Sequence, residues 1–144
     1  MNSVTVNALT VIKLSDGTKE WYLNDQRHRE DGPAIERPDG TKVWYLNNQL
    51  HRDNGPAIEH SNGAKTWYLN GVRHREDGPA VEYPDGTKFW FLNGQLHRDN
   101  GPAVEYPDGT KEWYLNGHKY EFIEWTKQVG WSREQIAEWI LNNG

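Results

Sequence analysis

Four His-Arg pairs, His28-Arg29, His51-Arg52, His74-Arg75 and His97-Arg98, recur every 23 residues, each with a carboxylate within three residues of the histidine: Asp31, Asp53, Asp77 and Asp99. An imidazole beside a carboxylate can ligate a metal or move a proton, and a guanidinium offers a planar fork to phosphate or carboxylate. The spacing decides between these. If each repeat contributes two strands to a sheet, equivalent residues lie roughly 10 Å apart. Donors on one zinc ion must each come within about 2.0–2.1 Å of it. One histidine per repeat therefore cannot converge on a shared metal, and His60 and His118 fall outside the ladder. No cofactor is expected.

Catalysis meets the same difficulty, because an active site is a convergence of dissimilar groups. Here the polar residues repeat with the scaffold, and the chain contains no nucleophile elbow, phosphate loop or HExxH. The pattern predicts a non-catalytic surface. Its candidate binding residues are the ladder groups of the inner repeats: Tyr45, His51, Arg52, Tyr68, His74, Arg75, Phe91, His97 and Arg98. The competing reading makes the same residues architectural: Arg stacks on an aromatic ring and pairs with a nearby carboxylate, and His caps a turn. Alanine at Arg52 and Arg98 separates the two. On the first reading it removes binding and spares the fold; on the second it lowers the melting temperature.

The elements that must carry these groups are set by Trp-Tyr-Leu-Asn, at Trp21, Trp44, Trp67 and Trp113, with Trp90-Phe91-Leu92-Asn93 as the fourth copy. Four full units run over 16–38, 39–61, 62–84 and 85–107, and a partial fifth reaches residue 120. Thr41–Leu46 reads as a strand from its β-branched and aromatic content. Asn70-Gly71, Asn93-Gly94 and Asn116-Gly117 are hairpin-turn dipeptides, and Asn24-Asp25 and Asn47-Asn48 are weaker versions. A return segment such as Gln49–Arg52 leads to a Gly55-Pro56 corner, then Ala57-Ile58-Glu59 and the next Asp/Asn-Gly turn. A second period of 46 residues makes odd units resemble odd and even resemble even, as after duplication of a two-unit block. Trp and Tyr are adjacent, so they face opposite sides of a strand. Trp, with Leu two residues on, is expected to form a buried seam, and Tyr the more open face.

Both ends depart from the repeat. Residues 1–15 resemble the second half of a unit, with Ile12 in the place of Ile35, and read as an N-terminal capping strand that is loose before about Val4. Residues 121–144 read as a two-helix cap. Tyr120–Val129 has helical spacing and closes at Gly130, and Ser132 with Gln135 forms a capping box for a second helix with apolar positions Ile136, Trp139 and Ile140. Such a cap is expected on the Trp113/Leu115 end, because the last layer of an array has no neighbour to cover it.

The chain is 35% hydrophobic with a mean hydropathy of -1.00, which suits an array in which each unit buries one face on the next. A net charge of -5 with both signs interspersed argues against nonspecific nucleic-acid binding. The absence of cysteine gives no sign of secretion, residues 1–4 lack the pattern of a signal peptide, and no apolar run is long enough to span a bilayer. A cytoplasmic protein without membrane partners is expected.

The 23-residue period and the Tyr-x-x-Gly-x-x-His spacing, shown by Phe91, Gly94 and His97, resemble the MORN repeat over about residues 16–120. More narrowly, Trp-Tyr-Leu-Asn-Gly followed by His-Arg-x-x-Gly-Pro-Ala is similar to a MORN-like variant common in bacteriophage proteins. It departs from the usual His-Gly in having His-Arg, and it adds the Gly-Pro-Ala corner. The resemblance implies a mainly β fold, an elongated single-layer antiparallel sheet of hairpin repeats with a small helical cap. For function it implies a phage accessory module that binds and inhibits a host defence protein, or another phage or host protein. Two alternatives stand beside it: a sponge for an anionic nucleotide signal, and a structural homo-oligomer, for which the edge strand Val11–Leu14 offers a dimer contact.

Overall fold

The computed structural model describes residues 8–144, so the expectation that the chain is loose before Val4 lies outside the described residues. The fold is mainly β: eighteen strands in open antiparallel pairing, followed by two helices, α1 (Phe122–Val129) and α2 (Arg133–Asn143). The central sheet runs in chain order. It starts with Leu9–Lys13 and Lys19–Leu23, continues through Ile35–Glu36, Lys42–Val43 and Ile58–Glu59, and ends with Lys111–Leu115 and His118–Tyr120. The separate hairpins Tyr45–Leu46/Gln49–Leu50, Tyr68–Leu69/Val72–Arg73 and Phe91–Leu92/Gln95–Leu96 lie off this path.

The expected strand Thr41–Leu46 is therefore broken at Trp44, and the break has a physical cause. Trp44 donates its backbone N–H to Ala57 (2.7 Å), while its carbonyl accepts from His51 (3.2 Å). The strand before Trp44 pairs with the outgoing segment Ile58–Glu59, and the strand after it pairs with Gln49–Leu50. The chain forks at the tryptophan. Residues 52–56 bulge out between the two branches, and the fork repeats at Trp21, Trp67 and Trp90 with the same bonds. The outer edge of the first forked strand is unsplit, since Leu9–Lys13 pairs along all of Lys19–Leu23, and at the other end Lys111–Leu115 is continuous. Ile12 faces Glu20 as Ile35 faces Val43, matching its expected place in the repeat.

Neighbouring hairpins are joined by backbone bonds of their own. Arg29, Arg52, Arg75 and Arg98 donate N–H to the carbonyls of Tyr45, Tyr68, Phe91 and Tyr114. The hairpin turns bind back: Asn48, Gly71, Gly94 and Gly117 donate to the carbonyls of Arg27, Leu50, Arg73 and Leu96. Both central residues of each turn have positive φ, for example Asn70 at 49° and Gly71 at 81°, as a type I′ turn requires.

Side chains alternate across the sheet. One face carries Ile35, Val43, Ile58, Thr66, Val81, Phe89 and Val104 in direct cross-strand register. The other carries an unbroken alternation of Lys19, Glu36, Lys42, Glu59, Lys65, Glu82, Lys88, Glu105 and Lys111, every cross-strand pair opposite in sign. Such pairs add a few tenths to 1 kcal/mol each and disfavour a slipped register. The core is thin. Ala34, Ala57, Ala80 and Ala103 are fully buried at the corners, with Ile35, Val43, Val81 and Val104 beside them. The tryptophans differ from the expected seam: Trp21, Trp44, Trp67 and Trp90 are half-buried, and only Trp113 of the ladder is buried.

Trp113 is covered by the cap. Phe122, Trp125 and Trp139 lie 4.8, 4.6 and 5.0 Å from it by ring centroid, and Trp125 is fully buried. Gly130 closes α1 in the left-handed region at φ 76°, and Ser132 and Gln135 form the reciprocal capping box of α2. The first helix starts later than its spacing suggests. Tyr120 completes the last strand by pairing with Trp113, and Glu121 is the N-cap.

The turns that return each unit to the sheet carry a titratable anchor. Asp16, Asp39, Asp85 and Asp108 accept the backbone N–H of Thr18, Thr41, Thr87 and Thr110 at 2.8 Å. That bond, with the threonine hydroxyl, holds each carboxyl below its ordinary value of 3.8. A depressed folded value means the contribution to stability is complete above about pH 4 and is lost as pH falls through the folded values. Asn62, at the same place in the third unit, accepts from Ala64 without titrating. Replacing the four aspartates with asparagine is expected to make the melting temperature fall less steeply below pH 4 than that of the native chain; thermal unfolding followed by circular dichroism from pH 5 to pH 2.5 checks it.

Candidate functional site

The residues expected to form one binding surface lie on two opposite faces. His51, Arg52, His74, Arg75, His97 and Arg98 are on the Trp face, and Tyr45, Tyr68 and Phe91 on the other. On the Trp face the polar groups are engaged within the array. Arg29, Arg52, Arg75 and Arg98 each place a guanidinium 3.9–4.0 Å from the ring centroid of the tryptophan in the same unit. Nη1 of each then donates to a corner proline carbonyl (Pro33, Pro56, Pro79, Pro102) and to a glutamate of the charge ladder (Glu36, Glu59, Glu82, Glu105). Nε of Arg29 and Arg75 binds Asp31 and Asp77 at 2.9 Å, and that of Arg98 binds Asn100 at 3.0 Å. Arg75 correspondingly holds Asp77 below the usual carboxyl range.

Each histidine latches one unit to the next. Nδ1 of His28, His51, His74 and His97 accepts, at 3.0 Å, the backbone N–H of Asn47, Asn70, Asn93 and Asn116, the first residue of the following hairpin turn. Nδ1 must carry no proton to accept. On the first three rings Nε2 then faces Glu30, Asp53 and Glu76 at 3.3, 2.8 and 3.4 Å. Stacking on an aromatic, pairing with a carboxylate and capping a turn are all seen here. The described residues contain no group of three or more His, Cys, Asp or Glu able to hold a metal.

The opposite face is where the repeat breaks its own rule. Immediately before each tryptophan stand Glu20, Val43, Thr66, Phe89 and Glu112. Immediately after each ladder glutamate stand Arg37, His60, Tyr83 and Tyr106. The scaffold accepts any of these, and the middle of the array gathers dissimilar ones into a groove of about 460 Å³. Its floor is Ile58 and Val81, its walls include Tyr68, Tyr83, Phe89 and Phe91, and Arg73 projects over it. Tyr83 and Tyr106 pack edge-on against Phe89 at 6.1 and 6.4 Å, yet remain 47% and 36% exposed. Each ring therefore keeps a large open surface while packing on Phe89.

Charge follows the same division. The loops on the Trp face expose Glu30, Asp31, Asp53, Glu76, Asp77 and Asp99. The groove is lined by Arg73 and His60 and by no carboxylate, because Asn62 replaces the aspartate of the other four turns. Arg73 is exposed, with Nε 3.3 Å from the Tyr68 hydroxyl and its guanidinium 5.4 Å from the Phe91 ring. Among the residues that precede the tryptophans, carboxylates stand only at the two ends, Glu20 and Glu112. Glu20 accepts the Tyr22 phenol and pairs with Arg27, and Glu112 accepts the Tyr114 phenol and pairs with Lys119. The Tyr22 phenol is pushed up by Glu20, and that of Tyr114 by burial and then by Glu112.

His60, Arg73, Tyr83 and Phe89 are thus groove residues outside the ladder, with Tyr106 beside them on Phe89. Their signal was present in the chain as the positions where the units disagree. No known family model matches the chain, and no curated protein matches it.

The bonding of the arginines fixes an expected outcome. Arg75→Ala should destabilise the fold by about 2–3 kcal/mol, from the lost stacking and charge-assisted bonds. Arg75→Lys should recover less than half of this, because an ammonium cannot stack and fork at once. Urea unfolding of the two variants measures both.

Proposed function

We propose that this chain is a non-catalytic protein-binding module whose contact surface is the aromatic groove opposite the tryptophans. The observation that carries the reading is the concentration of chemically dissimilar exchanges on the groove's face, while the Trp-face loops exchange mainly Glu with Asp and Asp with Asn. Repetition serves folding, and departure from it serves recognition. Solvent-exposed Tyr83 and Tyr106 beside Phe89 supply rigid amphipathic contact area of the kind that dominates protein interfaces. The ladder histidines and arginines support the reading from the other side. Each is committed to a repeated structural bond, which leaves them poorly placed for acid–base work.

The resemblance to MORN-like phage proteins adds a finer proposal: an accessory protein that acts in the host cytoplasm by binding and inhibiting a defence component. Among the described residues no helix is long and apolar enough to cross a membrane. The nucleotide-sponge reading calls for several arginines and tyrosines converging in an enclosed pocket. The groove has Arg73 alone beside its aromatics and is open, so it favours a protein segment.

The test is native mass spectrometry of the chain after incubation with lysate of defence-bearing bacteria, beside a Phe89→Val/Arg73→Ala variant. Valine already occupies the Phe89 position in the second unit, at Val43, so the variant is expected to fold. A protein-sized addition to the native chain that the variant loses is the expected result. An addition of a few hundred daltons would favour the sponge. Bare dimers, joined through the exposed edge strand Leu9–Lys13, would favour the structural homo-oligomer.

A further inference from the structure

The geometry points to an acidic, proline-rich segment in the polyproline II conformation as the groove's occupant; this rests on the protein-binding reading above and names the chemistry of the partner. Three features of the groove select it.

The first is period. Each unit adds two strands to the central sheet, so the aromatics of this face that do recur, Tyr68 and Phe91 or Tyr83 and Tyr106, lie about 9.6 Å apart along the array. A polyproline II helix has three residues per turn and rises about 3.1 Å per residue, so it presents the same face about every 9.3 Å. Over three units the mismatch stays near 1 Å. An α-helix laid along the same line repeats its face about every 10.5 Å, one heptad, and drifts by roughly 3 Å over that length. An extended strand turns every second side chain away and has no matching period.

The second is surface chemistry. Proline rings of a preformed helix dock between aromatic side chains at little entropic cost, because the ligand is already ordered. Tyr68, Phe91 and Tyr83 line the groove together with Ile58 and Val81, and Tyr106 continues the aromatic surface on the other side of Phe89. Phe89 lies between Tyr83 and Tyr106 and divides that side into successive notches.

The third is charge. In a chain of net charge -5, the groove lining holds Arg73 and His60 and has Asn62 where the other turns have aspartate. Arg27 and Lys119 occupy the Arg73 position two units away on either side, but they pair with Glu20 and Glu112, so the positive charge of this face is concentrated at the groove.

Fluorescence anisotropy with labelled twelve-residue peptides tests it. The probes are a repeat of Pro-Pro-Glu, a repeat of Gly-Gly-Glu with the same charge, and a repeat of Pro-Pro-Lys. The expected result is saturable binding of the first, at least tenfold weaker binding of the second, and none of the third. Phe89→Val and Arg73→Ala should each weaken the first by fivefold or more with the melting temperature kept within a few degrees. Equal binding of the proline and glycine peptides would overturn the polyproline assignment, as would binding that ignores both substitutions. Absence of binding by all three peptides at millimolar concentration would overturn it as well. The mass-spectrometry comparison keeps the two ideas apart. If a lysate protein is captured through the groove while these peptides fail, the binding module stands and the proline-rich occupant is rejected. If nothing is captured and the peptides fail, both fall.

Discussion

At Trp21, Trp44, Trp67 and Trp90 one backbone position serves two partner strands, its N–H turned to the corner alanine and its carbonyl to the ladder histidine. A sheet that splits in this way leaves a wedge between its branches, and buried polar backbone in the wedge needs partners. The arginine next to each histidine fills it. Its guanidinium lies over the indole, satisfies the corner proline carbonyl and reaches a glutamate of the charge ladder. The corner glycine is small for the same reason. A Cβ at Gly32, Gly55, Gly78 or Gly101 would come within 2.7–3.0 Å of the guanidinium carbon. His-Arg-x-x-Gly-Pro-Ala is thus a set of parts for one joint.

That joint explains why a chain so polar can fold. Two-residue strands provide little cooperativity, and the buried apolar set is confined mainly to corner alanines and one row of Ile and Val. Stability instead comes from identical polar contacts made over and over, each half-shielded and each linking neighbours: the arginine on its tryptophan, the histidine on the next turn, lysine opposite glutamate. In a one-dimensional array such nearest-neighbour terms add along the chain. They also occupy the polar groups of one face and leave the other free to vary.

Much of this was legible in the residues. Asn-Gly and its weaker relatives state their turn type, because the left-handed conformation admits few residues. Ser132 and Gln135 announce a helix start through a contact only four residues wide. Both depend on local chemistry alone. The break at the tryptophan does not. Thr41–Leu46 has continuous strand character, and nothing in its composition tells which partner each N–H and carbonyl will find. The helical reading of Tyr120 fails for a similar reason, since the register Trp113 to Tyr120 captures a residue that spacing would give to α1. The groove is a different case. Glu20, Val43, Thr66, Phe89 and Glu112 share a position and differ in chemistry, a pattern that becomes informative once the face they share is known.

The C-terminal cap obeys the logic of the joint. By register, Tyr120 stands where earlier units have histidine and Glu121 where they have arginine. The fifth unit therefore has no guanidinium to lay on Trp113. Phe122, in the next position, turns its ring onto that indole, and Trp125 and Trp139 close over the rest. Trp125 also donates its indole N–H to the carbonyl of Arg98, tying the cap to the last complete joint. A cation can cover a tryptophan and stay wetted at its rim, so it suits a layer that another unit will follow. Three aromatic rings cover one completely and leave no template for a further fork. Where Tyr-Glu replaces His-Arg the joint cannot form, and the helices bury the indole in its place.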